Sequence, residues 1–175
     1  LEVIFNGIDS KNIFHPRDFE YLKKQHGLTN EKIVLAVAPG LMSAAKGGRF
    51  VLELAKNMSN EHVKFILIGI NDLTEIFGNN VIALGRTEDQ LELASYYSMA
   101  DVFVICSEKE TFSLTCAESL CCGTPVVGFE SGAPESVFEK PYAVFVKYAD
   151  IDLLKKELIL ALSNSSSRMK KECAE

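Results

Sequence analysis

Ser107-Glu-Lys-Glu-Thr-Phe-Ser-Leu-Thr-Cys-Ala-Glu-Ser-Leu-Cys-Cys-Gly-Thr-Pro-Val-Val-Gly128 decides the fold. The run begins where the apolar stretch 101–106 ends. It passes through a charged loop, turns helical from Leu114, stops at Gly123 and enters a second apolar stretch, 124–129. Both flanking stretches are continuously apolar rather than alternating, the pattern of strands covered on both faces in a parallel sheet. Strand, helix and strand in that order make a crossover unit.

The same alternation extends in both directions. Further apolar runs occupy 33–38, 63–69, 81–84 and 143–146. Helical periodicity covers 47–58, where Phe50, Leu52, Leu54 and Ala55 are apolar. It returns over 88–99, carrying Leu91, Ala94 and Tyr97 behind a Thr87 suited to the N-cap, then over 114–122 and the Leu-rich 152–163. Six strands separated by helices predict a doubly wound, Rossmann-like α/β fold. Residues 163–168 read as a polar break before a last helical turn.

A chain of 175 residues is long enough for one domain with a full core, and 47% hydrophobic with 24% charged residues is ordinary for a globular protein. No apolar run reaches the length of a membrane span, and no signal-peptide pattern opens the chain. It starts at Leu1, in mid-pattern, so the expectation is a fragment whose missing part lies upstream. A net charge of −6 without a Lys/Arg stripe argues against general nucleic-acid binding but leaves room for a small anionic ligand. The five cysteines form no framework and have no His nearby, so they read as free, mostly buried thiols of a reducing compartment.

Ligands of open α/β sheets bind beyond the carboxyl ends of the strands, which directs attention to the loops that follow them. On a helical wheel Glu118 falls between Leu114 and Cys122, inside the apolar arc of its helix. A charge there is costly unless it reaches water, pairs with a Lys or Arg, or meets a ligand. Glu110 lies in the loop at the ligand edge, although with Glu108 and Lys109 it also reads as a charged surface loop. Thr111 or Ser113 can cap the helix, leaving backbone N–H groups near Ser113 and Leu114 facing the same crevice, where they suit a phosphate. Lys46-Gly47-Gly48 closes the loop after the first core strand and also suits a phosphate, or simply an exposed helix start. The P-loop and dinucleotide glycine patterns are both absent.

In this order and spacing the segments resemble the C-terminal half of a GT-B glycosyltransferase of the large retaining family 4, the glycosyl transferases group 1. The likeness runs from about Val3 to Ser163. Asn6-Gly-Ile-Asp9 with Phe14-His-Pro16 resembles the interdomain connection, so residues 1–30 are expected to supply that connection and a first helix. Residues 31–175 are then the nucleotide-sugar-binding domain. Lys46-Gly47, Phe65-Ile-Leu-Ile-Gly69, Val81-Ile-Ala-Leu-Gly85 and Ala100-Asp101-Val-Phe-Val resemble the successive strand and loop elements. Glu110 and Glu118 match the two ends of the E-x7-E motif, and Gly132-Ala-Pro-Glu135 resembles the usual Gly-Gly-x-x-Glu.

The resemblance implies roles. Glu110 would bind hydroxyls of the transferred sugar and Glu118 the nucleotide ribose. Lys46 would stabilise the diphosphate as the glycosidic bond breaks. Backbone amides at Ser113 and Leu114 would hold the distal phosphate, with Arg86 near the base, and Phe112 and Gly40, in the loops after their strands, would also contribute to donor binding. It implies a nucleotide-sugar donor, no cofactor and no metal, and an acceptor glycan or lipid-linked sugar bound by an upstream domain. It further implies a cytoplasmic location, including peripheral association with the cytoplasmic face of a membrane, and a place in polysaccharide or glycolipid synthesis. Two departures stand out. Ser113 occupies a position where the family often has Gly, and Ala38-Pro-Gly-Leu-Met-Ser43 lacks the usual Gly-Arg. Other readings are a non-catalytic nucleotide- or glycan-binding module, a phosphorylase, a nucleotide-sugar epimerase, and a glycoside hydrolase using the two glutamates.

Overall fold

Strand parity sorts the core into two layers. The computed structural model describes residues 7–74, 77–138, 140–165 and 167–174, apart from the side chains of 167–170. Residues 1–5, Asn6 of the connection motif and Ser166 of the serine tail lie outside the described residues. Six strands form one sheet: β1 Lys32–Val37, β2 Val63–Ile68, β3 Val81–Leu84, β4 Val102–Ile105, β5 Val126–Phe129 and β6 Ala143–Val146. All pairings are parallel, in the order β3-β2-β1-β4-β5-β6. The doubly wound fold expected from the sequence is therefore present, with each strand boundary within two residues of its apolar run.

Because side chains alternate along a strand, Val34, Ala36, Phe65, Leu67, Val102, Val104, Val127 and Phe129 point to one face. There they meet α2 (Gly48–Asn57) and α6 (Ile151–Asn164). Ile33, Leu35, Ile66, Ile68, Phe103, Ile105 and Val126 point to the other. These pack with α1 (Glu20–Gln25), α3 (Gln90–Met99) and α4 (Leu114–Cys121). The short α5 (Pro134–Val137) and the terminal α7 (Ser167–Ala174) complete the chain. All five cysteines are free thiols, and Cys106, Cys116 and Cys122 are buried.

Two local expectations are corrected. The cap of α3 is Asp89, not Thr87: its carboxylate accepts from the N–H groups of Leu91 and Glu92, which start the helix two residues later than expected. Thr87 instead donates its hydroxyl to the Glu92 carboxylate at 2.9 Å. The buried face of α4 is also shifted from the apolar arc, keeping Ala117 and Cys122 but not Leu114. Leu114 is 42% exposed, whereas Ser119 is fully buried. Ser119 donates to the Thr124 carbonyl at 2.8 Å, and Thr124 donates to the Tyr97 carbonyl at 2.6 Å. Small hydroxyl residues with satisfied bonds let the helix sit close to its neighbours, so polarity was a poor guide to burial here.

Candidate functional site

The strand order reverses between β1 and β4: the chain leaves β1 toward β2 and leaves β4 toward β5. These two strands pair only at Val34↔Val102 and Leu35↔Phe103. Beyond that register the two strands no longer pair with each other, and a crevice opens at the point where α/β sheets of this topology bind ligands. A cleft of about 250 Å³ fills it, lined by Val37, Ala38 and Pro39 after β1, by Ile105 and Ser107 after β4, by Lys46, and by residues 110–115.

Lys46 reaches the cleft because its loop is pressed against β4. Gly47 has φ +69, and a Cβ there would lie 2.1 Å from the carbonyl oxygen of Cys106. Only glycine allows that approach. The Glu108 N–H also donates to the Ala45 carbonyl at 2.9 Å, tying the Lys46 loop to the one that carries Glu110. Glu110 is held from its other side. Its N–H donates to the Ser131 carbonyl at 2.9 Å, and it forms an isolated parallel bridge with Gly132. The Glu135 carboxylate in turn accepts from the N–H groups of Ser131 and Gly132, at 3.1 and 2.8 Å. Burial opposes ionisation of Glu135, but its backbone hydrogen bonds outweigh that and hold the carboxyl below its usual range. The outcome is direct contact: Lys46 Nζ donates to Glu110 Oε1 at 2.8 Å.

Ser113 is the N-cap of α4 and sits in the left-handed region at φ +69. This explains why glycine suits the position. A Ser held there carries roughly 1 kcal/mol of backbone strain, and its hydroxyl is used locally, accepting from Cys116 N–H at 3.4 Å and donating to Cys116 Sγ at 3.1 Å. Among the described residues, no protein acceptor takes the N–H groups of Leu114 and Thr115, which line the cleft at the positive end of the helix.

Glu118 lies further along α4 and is not part of that lining. Among the described residues its carboxylate partner is the hydroxyl of Tyr97 on α3, which donates at 3.0 Å. Burial raises the Glu118 carboxyl above its usual value, and the Tyr97 hydrogen bond opposes the rise. Burial, then the charge of Glu118, keeps the Tyr97 hydroxyl protonated. The two glutamates are thus in different surroundings: one ion-paired at the cleft, the other half-buried against a phenol.

Phe112, Ser113 and Leu114 line the cleft with Lys46 and Glu110. Gly40 turns away one residue after Pro39, with φ +60 and Asn71 as its neighbour. Arg86 lines a second cleft of about 430 Å³ with Ile68, Gly85, Glu92 and Tyr96, and the two linings share no residue. Arg49 stacks its guanidinium 4.6 Å from the Phe50 ring centre, so it does not supply the missing loop arginine. Tyr97 was read from the sequence only as a core position. Ser131 carried no signal, whereas the Pro134-Glu135 pair at a helix start does signal a carboxylate free to cap backbone N–H groups.

The pattern of the glycosyl transferases group 1 matches residues 18–174. The chain belongs to this family, and its fold is the C-terminal domain of a GT-B glycosyltransferase. N-acetyl-alpha-D-glucosaminyl L-malate synthase of Bacillus anthracis is 26% identical over 147 residues, which are 78% of this chain and 38% of that protein. The chain thus spans well under half the length of that relative. Anabaena Alr3699/HepE, solved in complex with UDP, superposes with a TM-score of 0.83 at 19% identity, covering 99% of this chain and 51% of that one. The C-terminal domain of a glycosyl transferase group 1 family protein (LpcC) from Francisella tularensis gives 0.76 at 18% identity, covering 97% and 93%. At these identities the structural likeness is one of fold.

Proposed function

We propose that this chain is the donor-binding half of a retaining glycosyltransferase, which moves a sugar from a nucleoside-diphosphate sugar to an acceptor hydroxyl without a metal. One observation carries the reading: Lys46 and Glu110, 64 positions apart, meet at 2.8 Å over the unpaired start of α4, in the crevice where the strand order reverses. A cation and helix N–H groups on one side suit a diphosphate. A carboxylate on the other accepts from sugar hydroxyls. Glu118 would accept from the ribose, with Tyr97 orienting it, and Arg86 and Gly40 would border the nucleoside.

The cleft is smaller than the roughly 300–1,000 Å³ that encloses a drug-sized ligand. That suits half a site, closed by an upstream acceptor domain that excludes water. On this reading the chain binds donor but does not turn over alone. The whole protein works in polysaccharide or glycolipid assembly from the cytoplasm, including the cytoplasmic membrane face. Among the described residues no helix is long and apolar enough to cross a membrane.

Calorimetry of the chain with UDP, GDP and ADP tests the reading. At least one should bind, and Lys46→Ala should weaken it by about tenfold or more, the loss expected for a charge-assisted contact to phosphate. Failure of all three nucleotides to bind would sink the proposal.

A further inference from the structure

Resting on the donor-site reading, we propose that Glu110 competes with the donor's diphosphate for Lys46, and that this contest makes the site select the nucleotide sugar over the spent nucleoside diphosphate. The pair is a fixed feature of the fold. The Lys46 side chain is 32% exposed and that of Glu110 15%. Neither backbone is free to retreat. Gly47 is wedged against Cys106, Ala45 is bonded to Glu108, and Glu110 is bonded to Ser131 and bridged to Gly132. Among the described residues Lys46 is the one side chain that pairs with the Glu110 carboxylate.

A diphosphate seated on the N–H groups of Leu114 and Thr115 draws the Lys46 ammonium away from Glu110. The carboxylate is then left mostly buried, without its counter-ion and close to two phosphates of like charge, an arrangement that is unfavourable unless hydrogen-bond donors replace the lysine. A nucleoside diphosphate ends at the phosphate and brings no such donor. A sugar carried on that phosphate brings hydroxyls to the place the ammonium left. The same carboxylate therefore penalises the product and rewards the substrate, helping the product leave after transfer.

The test is calorimetry of wild type, Glu110→Gln, Glu110→Ala, Lys46→Met and the Lys46→Met/Glu110→Gln double variant. Probes are UDP, GDP and ADP against UDP-glucose, UDP-N-acetylglucosamine, GDP-mannose and ADP-glucose, with thermal melts to confirm folding. Both Glu110 variants should bind the nucleoside diphosphate about tenfold more tightly than wild type. The ratio of sugar-bearing to sugar-free affinity should fall by at least as much. In the Lys46→Met background, removing Glu110 should no longer release a lysine, and the tightening should shrink to the part that comes from relieving like-charge repulsion. Nucleoside-diphosphate binding that is unchanged or weakened in both folded Glu110 variants overturns the competition while leaving the donor site standing. Tightening that is undiminished without Lys46 also overturns it. No nucleotide binding in any variant or in wild type overturns the donor reading itself.

Discussion

Replacing Gly47 with alanine should separate two physical costs that usually arrive together. Gly47 and Gly27 have almost the same backbone, φ +69 and +64. A Cβ at Gly27 would meet nothing within 4 Å, whereas one at Gly47 would fall 2.1 Å from the Cys106 carbonyl oxygen and 2.8 Å from its carbon. Gly27→Ala therefore incurs only the left-handed backbone penalty, about 1 kcal/mol after the unfolded chain's lower entropy is credited. Gly47→Ala incurs the same penalty plus an overlap with main-chain atoms that no rotamer change relieves. Overlap of that kind costs about 1–3 kcal/mol. At this chain length each kcal/mol lowers the melting temperature by about 2–4 °C. Gly27→Ala should thus melt about 3 °C below wild type, and Gly47→Ala should fall about a further 2–12 °C. Urea denaturation of the three proteins side by side checks the free energies. Gly47→Ala should also weaken nucleoside-diphosphate binding, because relief of the clash displaces Lys46, while Gly27→Ala should not. Equal destabilisation by the two substitutions would refute the claim that close approach to β4 is what positions the lysine.

Ser113→Ala keeps the strained backbone and loses the cap, whereas Ser113→Gly loses the cap and relieves the strain; the alanine variant should be less stable by about 1 kcal/mol in urea denaturation. Tyr97→Phe removes the hydroxyl that donates to the Glu118 carboxylate and should cost about 1–2 kcal/mol in the same assay. Glu118→Gln should stabilise the free chain at pH 7.5. The folded-state pKa of Glu118 lies above its usual 4.5, so folding favours the protonated acid. Its contribution to stability is full below that usual value and is lost as the pH rises through the raised one. The advantage of the glutamine, on the order of 1 kcal/mol or less for a group this exposed, should therefore shrink when both proteins are unfolded near pH 4.5. A gap that does not change with pH would show that Glu118 does not titrate in this range.

Much of the architecture was legible because burial on both faces leaves a direct signature. Continuous apolar runs at 63–69 and 143–146 can belong only to covered strands or short core segments, and the intervening helical periods force crossovers. Lys46, Glu110, Phe112, Ser113 and Leu114 were also within reach, since each lies in a loop following a strand or at a helix start. Polarity failed where the group that satisfies a polar side chain does not show in the helical pattern. Ser119 is polar and yet fully buried, its hydroxyl satisfied by donating to the Thr124 carbonyl. Glu118 could be read as reaching water, a cation or a ligand, and among the described residues its partner is the Tyr97 phenol, 21 residues away on another helix.

The chain's own residues determine that strands and helices alternate, that the sheet is covered on both faces, and that charged and glycine-rich loops follow the strands. These follow from local periodicity and from the steric limits of single residues. The tertiary structure alone decides that β1 and β4 part after two paired positions to open a crevice, and that Lys46 meets Glu110 across it. It also decides that Ser131, Gly132 and Glu135 brace Glu110 from a third loop. Those contacts join residues that only the strand order brings together, and strand order is set by how the whole sheet packs between its two helical layers, for which no single segment holds a code.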